Sequence, residues 1–188
     1  MTITIDPQTE QLLAERCAPY LAACGASSAS QAPCLWRGLS GTNVPTGPTE
    51  CKTRPARVPR SMPEWLHHRI DQWFDDRHGH PYRSAHVAFC TGDRAQARKY
   101  GTAVAIFPIG EFRFAWSPEV LDLTDFTRAF FNAHGVANFH TFNNDSLPVC
   151  RSLLDSFAGR YLTNDLVRAI GSHREVMLAC DAYFAIPQ

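Results

Sequence analysis

No stretch of this chain approaches the roughly eighteen consecutive apolar residues that a membrane-spanning helix needs. Its opening, MTITIDPQTEQLLAERCAPYLAACG, lacks a basic segment followed by a long apolar one. Together these absences predict a soluble, cytosolic protein that does not insert into a membrane. Net charge is missing too: 18 Lys and Arg balance 18 Asp and Glu. No global field draws the chain toward nucleic acid or an anionic surface, so any polyanion site has to be local. Seven cysteines are scattered without a single C-x-x-C pair. That excludes the usual zinc ribbon, gives no disulfide framework, and leaves reduced thiols that fill a core. Also absent are G-x-x-x-x-G-K-[ST], G-x-G-x-x-G, G-x-S-x-G and H-E-x-x-H. The common ATP, dinucleotide, serine-hydrolase and zinc-protease sites are excluded with them.

What is present fits one domain spanning residues 1–188, with 45% hydrophobic residues to bury. Residues 1–30 read as an N-terminal helix and connector. From Asp6 to Cys24, Leu12, Leu13, Cys17, Tyr20 and Leu21 recur at helical spacing, with Asp6 as N-cap and Pro7 in the first turn. CLWRGLSG, between Pro33 and Gly41, reads as a short strand carrying Arg37. Residues 41–63 hold a proline-rich run with Lys52, Arg54, Arg57 and Arg60, which predicts a long ordered loop or a mobile arm. PEWLHHRIDQWFDDRHG puts Trp65, Leu66, Ile70, Trp73 and Phe74 on one helical face.

Downstream, SAHVAFCTGD reads as a strand ending in a turn, RAQARKYG as a short helix closed by Gly101, and TAVAIFPIGEFRFAWSPEVLDL as two strands turning at Pro108 to Glu111. LTDFTRAFFNAHG is a helix capped by Thr124 or Asp125, and LPVCRSLLDSFAGRYLTNDLVRAIG gives two helices broken at Gly159. A strand through REVMLACDAYFAIP follows. Helices at both ends of a group of mainly hairpin-connected strands predict an α+β fold rather than a doubly wound parallel sheet.

Metal binding is a weak reading of the histidines, because the adjacent His67 and His68 point about 100° apart on a helix. A thiol hydrolase built on Cys90 with His86 or His173 is likewise weak, since a lone cysteine in an apolar strand is usually buried and inert. There remain three strand positions in chain order: Arg37 in LWRG, Thr91 in FCTGD and Glu175 in HREVML. In that order and context the sequence resembles the ADP-ribosyltransferase family of the arginine-serine-glutamate type. LWRGLSG looks like the family's arginine strand, VAFCTGD like its Ser/Thr strand and REVMLACDAYFAIP like its catalytic-glutamate strand. The middle segment YGTAVAIFPIGEFRFAWSPEVLDL is similar to bacteriophage-encoded proteins associated with this fold.

The resemblance implies a mainly antiparallel split sheet with flanking helices and NAD as the substrate, with no metal. It implies that Glu175 faces the positive charge developing on the ribose, that Arg37 clamps phosphate or ribose, and that Thr91 holds the carboxylate or the nicotinamide ribose. Tyr100, Phe107 or Phe114 would cover the nicotinamide. Cys90 and Gly92 flank Thr91, so the hydroxyls on either side of it in the family pattern are gone. His173 stands where arginine-modifying members carry a second glutamate, which leaves the acceptor open among Asn, Thr, Ser, Cys, a nucleobase and water. His173 itself is then an acceptor-side base or a surface residue. A host protein is the first partner implied, with nucleic acid reached through Lys52, Arg54, Arg57 and Arg60. An NAD glycohydrolase shares the same site, and a non-catalytic interaction protein acting through the proline-arginine arm is the reading from a different class.

Overall fold

The computed structural model describes residues 3–40, 44–59, 61–136, 138, 140–141 and 146–188. Among these, Asp6 accepts from the Thr9 N–H at 3.0 Å and starts α1 (Pro7–Arg16) with a proline in its first turn. The single helix expected over 6–24 is instead two. Pro19 has no N–H to bond back to Glu15, so the chain turns at Cys17 and restarts as α2 (Ala18–Ala23). The strand β1 (Leu35–Leu39) follows, then β2 (Thr49–Lys52), α3 (Glu64–His78), β3 (Val87–Thr91), α4 (Arg94–Arg98), β4 (Thr102–Pro108) and β5 (Arg113–Trp116). Next come α5 (Leu123–Ala133), α6 (Ser146–Ser156), α7 (Leu166–Gly171), β6 (Glu175–Ala179) and β7 (Ala182–Pro187). The N-cap of α5 is Asp122, which accepts from Asp125 at 2.9 Å, rather than Thr124 or Asp125.

The seven strands form one sheet in the order β2-β7-β4-β1-β3-β6-β5, with every pairing antiparallel. With helices flanking the sheet, this is a single α+β domain. The expected hairpins are not there. Although β4 and β5 are consecutive, β4 lies between β7 and β1 while β5 lies at an edge beside β6. The final strand breaks at Cys180 and Asp181 into β6 and β7, which join different parts of the sheet, and neither is an edge. Part of the proposed arm is also strand: β2 pairs with β7 from Thr49↔Ala185 to Lys52↔Ala182. Its continuation is stitched down by Thr53 N–H to Asp181 O at 2.9 Å, His86 N–H to Arg54 O at 2.8 Å and Arg57 N–H to Ser84 O at 3.0 Å. Arg60 and Gly41 lie outside the described residues.

Two hydrophobic clusters cover the sheet, and the period-two alternation of the strands assigns side chains to them. Ala88, Cys90, Val176 and Leu178 join the cluster that includes Leu13, Tyr20, Trp36 and Ile170. Val87, Met177 and Ala179 join the one built on Leu66, Ile70 and Phe74 of α3 with Phe131 and Leu153. Glu175 and Thr91 share the parity of this second set, so they face the side of α3 and α5. The described cysteines are all free thiols, five of them buried, in keeping with core filler. No helix among the described residues is long and apolar enough to cross a membrane.

Candidate active site

β3 is the structural hinge of the site. Along β6 it is paired over five positions, from Val87↔Ala179 to Thr91↔Glu175. Toward β1 it makes one pair only, Trp36↔Thr91. Thr91 therefore sits directly across from Glu175 on one side and beside the neighbour of Arg37 on the other. Where β1 and β3 stop pairing, a cleft of about 680 Å³ opens, lined by Arg37, Thr91, Glu175 and Tyr100 among others. The wall opposite is the β2 continuation, which contributes Lys52, Arg54 and Arg57.

Two glycines make this geometry available. A Cβ on Gly38 would stand 2.3 Å from Ala97 O, and one on Gly92 would stand 1.8 Å from Ile170 O. Both are backbone contacts that cannot move aside, so α4 and α7 close against β1 and the end of β3 only because these positions carry no side chain. The absence of a hydroxyl after Thr91 thus has a steric cause: no serine fits at Gly92.

Glu175 is mostly buried, at 16% side-chain exposure, and its carboxylate pairs with Arg83 Nη1 at 3.2 Å. Burial pushes its carboxyl up to about 7, and the guanidinium of Arg83 works against that rise while Asp122 adds to it. Arg83 was not singled out from sequence. Its guanidinium also donates to Thr124 Oγ1 at 3.3 Å, its backbone N–H donates to Asp71 at 2.7 Å, and it lies 4.6 Å over the Phe89 ring. PYRSA carries no periodicity, so nothing local marked this arginine as buried. Arg37 donates to Phe89 O at 3.3 Å, and its Nε is buried without a partner. A guanidinium fixed by Phe89 O in the wall of a cleft is suited to an anionic oxygen. Thr91 accepts from the Asp93 N–H at 3.2 Å, leaving its own hydroxyl hydrogen for another acceptor.

Of the three aromatic candidates, only Tyr100 reaches the cleft, where it is 58% exposed and its hydroxyl stands 3.5 Å from Asp122. Phe107 is fully buried with its ring 5.6 Å from Tyr20, so it covers no ligand. Phe114 lies on β5 and stacks on Phe112, away from the cleft. Phe89, missed in the sequence, lies in the cleft with Arg57 at 4.0 Å over its ring. His173 is exposed, has a positive φ of 58°, and is not part of the cleft lining. The histidine that does line it is His67, almost fully buried, 3.7 Å from Asp71 and held neutral by burial at about 4.

No family model, curated protein or solved structure matches the chain. The site's chemistry is therefore read from its own residues. Cys90 is buried, and burial raises its thiol far above the ordinary range, so it is no thiolate nucleophile. Among the described residues no group of His, Cys, Asp or Glu is arranged to hold a metal ion.

Proposed function

We propose that this chain is a mono-ADP-ribosyltransferase that uses NAD as donor. The observation that carries the reading is the register at the sheet's break: Thr91 stands across from Glu175 and beside the strand of Arg37, in a cleft rich in cations. Three short motifs, far apart in sequence and weak singly, are brought to one place. A split antiparallel sheet of the ADP-ribosyltransferase kind belongs to the same proposal, and the single β1–β3 pair supports it.

In the proposed step the bond between ribose C1′ and the nicotinamide nitrogen breaks, and its electron pair leaves with nicotinamide. C1′ then takes the lone pair of an acceptor atom, whose proton passes to a base or to solvent. Glu175, ionised, faces the positive charge that builds on the ribose before the acceptor arrives. Arg37 offers its guanidinium to the pyrophosphate, and Thr91 donates its hydroxyl hydrogen to the carboxylate or to ribose. Tyr100 is the exposed ring available to stack on nicotinamide, because Arg57 and Arg83 already lie over Phe89. Arg83 fixes the orientation of the Glu175 carboxylate.

The test is incubation of purified protein with adenylate-labelled NAD and a bacterial lysate, with Glu175→Gln alongside. Nicotinamide release and label transfer that the variant loses by about a thousandfold or more support the proposal. Turnover retained in Glu175→Gln sinks it, and free ADP-ribose as the sole product makes the enzyme a glycohydrolase.

A further inference from the structure

The cleft carries more positive charge than its proposed donor needs. Among the described residues six cations line it, Arg37, Lys52, Arg54, Arg57, Arg83 and Arg128, against the carboxylates Asp122, Asp125 and Glu175. Two of those carboxylates are already held in ion pairs, Glu175 by Arg83 at 3.2 Å and Asp125 by Arg128 at 2.8 Å. The described lining thus has an excess of three positive charges in a chain whose total is zero. NAD, with a pyrophosphate and a cationic nicotinamide, brings a net charge of minus one and leaves most of that excess unmatched. Such concentration in one concave site makes a local attractor for a polyanion.

The cations are also ordered in space. Lys52 and Arg54 stand two residues apart on extended backbone, because Thr53 carries the β2–β7 ladder one step further by donating to Asp181 O. Extended residues at i and i+2 point the same way about 6.6 Å apart, a stride like that between successive phosphates of an extended nucleic-acid strand. The same cleft holds an open ring, Tyr100, 58% exposed, while the Phe89 ring is already covered by Arg57 and Arg83. A cationic track beside an open stacking surface is the physical requirement for holding a single strand, whose bases are free to stack. A paired duplex presents neither free base faces nor a profile that enters a cleft of about 680 Å³.

We propose that the cleft binds single-stranded nucleic acid along Lys52, Arg54 and Arg57, and hence that the acceptor of the transfer is a nucleotide. The second half of this inference rests on the transferase reading; the first does not.

The experiment measures anisotropy of a fluorescein-labelled, mixed-sequence single-stranded oligonucleotide, as DNA and as RNA, with the full chain. Three phosphate contacts predict an affinity that falls roughly 20-fold between about 50 and about 200 mM salt. The double variant Lys52→Glu/Arg54→Glu, changed at exposed positions, should lose more than about tenfold in affinity and most of the salt dependence. Arg77→Glu/Arg151→Glu, an equal charge change on exposed helix positions outside the cleft, should bind as the native chain does. Equal affinity of the two double variants, absence of binding, or binding indifferent to salt overturns the proposal. Label from NAD found on protein alone, with Glu175-dependent nicotinamide release, overturns the nucleotide acceptor and keeps the transferase. Salt-dependent oligonucleotide binding without nicotinamide release keeps the nucleic-acid site and overturns the transferase.

Discussion

The two edges of β3 are opposites. Against β6 the strand is paired along its whole length and its side chains are buried in both clusters. Against β1 it touches at one pair, and the sheet gives way to the cleft. The first edge is framework and the second is site, yet Thr91 belongs to both, since it is paired to Glu175 and to Trp36 at once. A rigid ladder thus delivers the carboxylate to the place where the ladder opens, which fixes the proposed catalytic group without hiding it. Sites built on strands hold geometry more tightly than sites on loops, and proposed chemistry at a ribose needs that tolerance.

The comparison is broken most sharply from the open edge. Arg37→Ala removes the guanidinium that β1 presents to the cleft while leaving the β3–β6 ladder intact. Loss of one preorganised donor to developing or bound charge costs about a hundredfold to a thousandfold, so nicotinamide release should fall by that much, while the lost hydrogen bond to Phe89 O lowers stability by only about 1 kcal/mol. Equal loss of stability and activity would show Arg37 to be framework instead. From the closed edge, Gly92→Ala drives a Cβ into Ile170 O and should cost about 2–4 kcal/mol of stability by urea denaturation. A near-neutral result there would mean that α7 can retreat from β3 and that the close approach is not required.

The Glu175–Arg83 pair sharpens the same contrast through pH. With its carboxyl raised from 4.5 to about 7, Glu175 holds its proton more tightly in the fold than in the unfolded chain. The protonated form therefore contributes stability that is fully present below pH 4.5 and lost as pH rises through about 7, by at most about 3 kcal/mol over that window. The proposed catalysis has the opposite sign because it needs the ionised form: nicotinamide release should climb with pH and reach half its maximum near 7. Arg83→Gln removes the cation that favours the carboxylate, so that limb should move upward, and Arg83→Lys should restore part of it. A pH profile identical in all three forms would limit Arg83 to packing.

How much of this could be read from the residues differs between the two edges as well. The segments β1, β3, α3, α4 and α5 follow from their apolar periods and breakers, and Arg37, Thr91 and Glu175 were singled out as strand positions. Sheet order was not legible, because apart from β5 and β6 no two sheet neighbours are consecutive in the chain, and period-two patterns do not say which strand pairs with which. The strand in 49–52 was hidden for another reason: at the edge it buries little, and TECK between prolines has no alternation to betray it. Arg83 and Phe89 were missed because burial of an arginine, and the capture of a ring by two guanidiniums, are products of tertiary packing alone. Phe107 was the converse error, since an aromatic in a strand is as fit for a core as for a ligand.

His173 gives the smallest expected effect and the narrowest test of the boundary between framework and site. It precedes β6 by two residues, close to Glu175 in sequence, and an imidazole there could in principle serve an acceptor. Its backbone, however, sits at φ 58°, its side chain is exposed, and the cleft is lined without it. A left-handed conformation at a non-glycine residue costs about 1–2 kcal/mol, so the position is held by what surrounds it. His173→Gly relieves that cost and removes the imidazole together. It should leave nicotinamide release and label transfer within about twofold of the native chain while raising stability by up to about 1 kcal/mol. If instead transfer to the acceptor falls while nicotinamide release persists, His173 acts on the acceptor from outside the cleft, and the site extends past the start of β6.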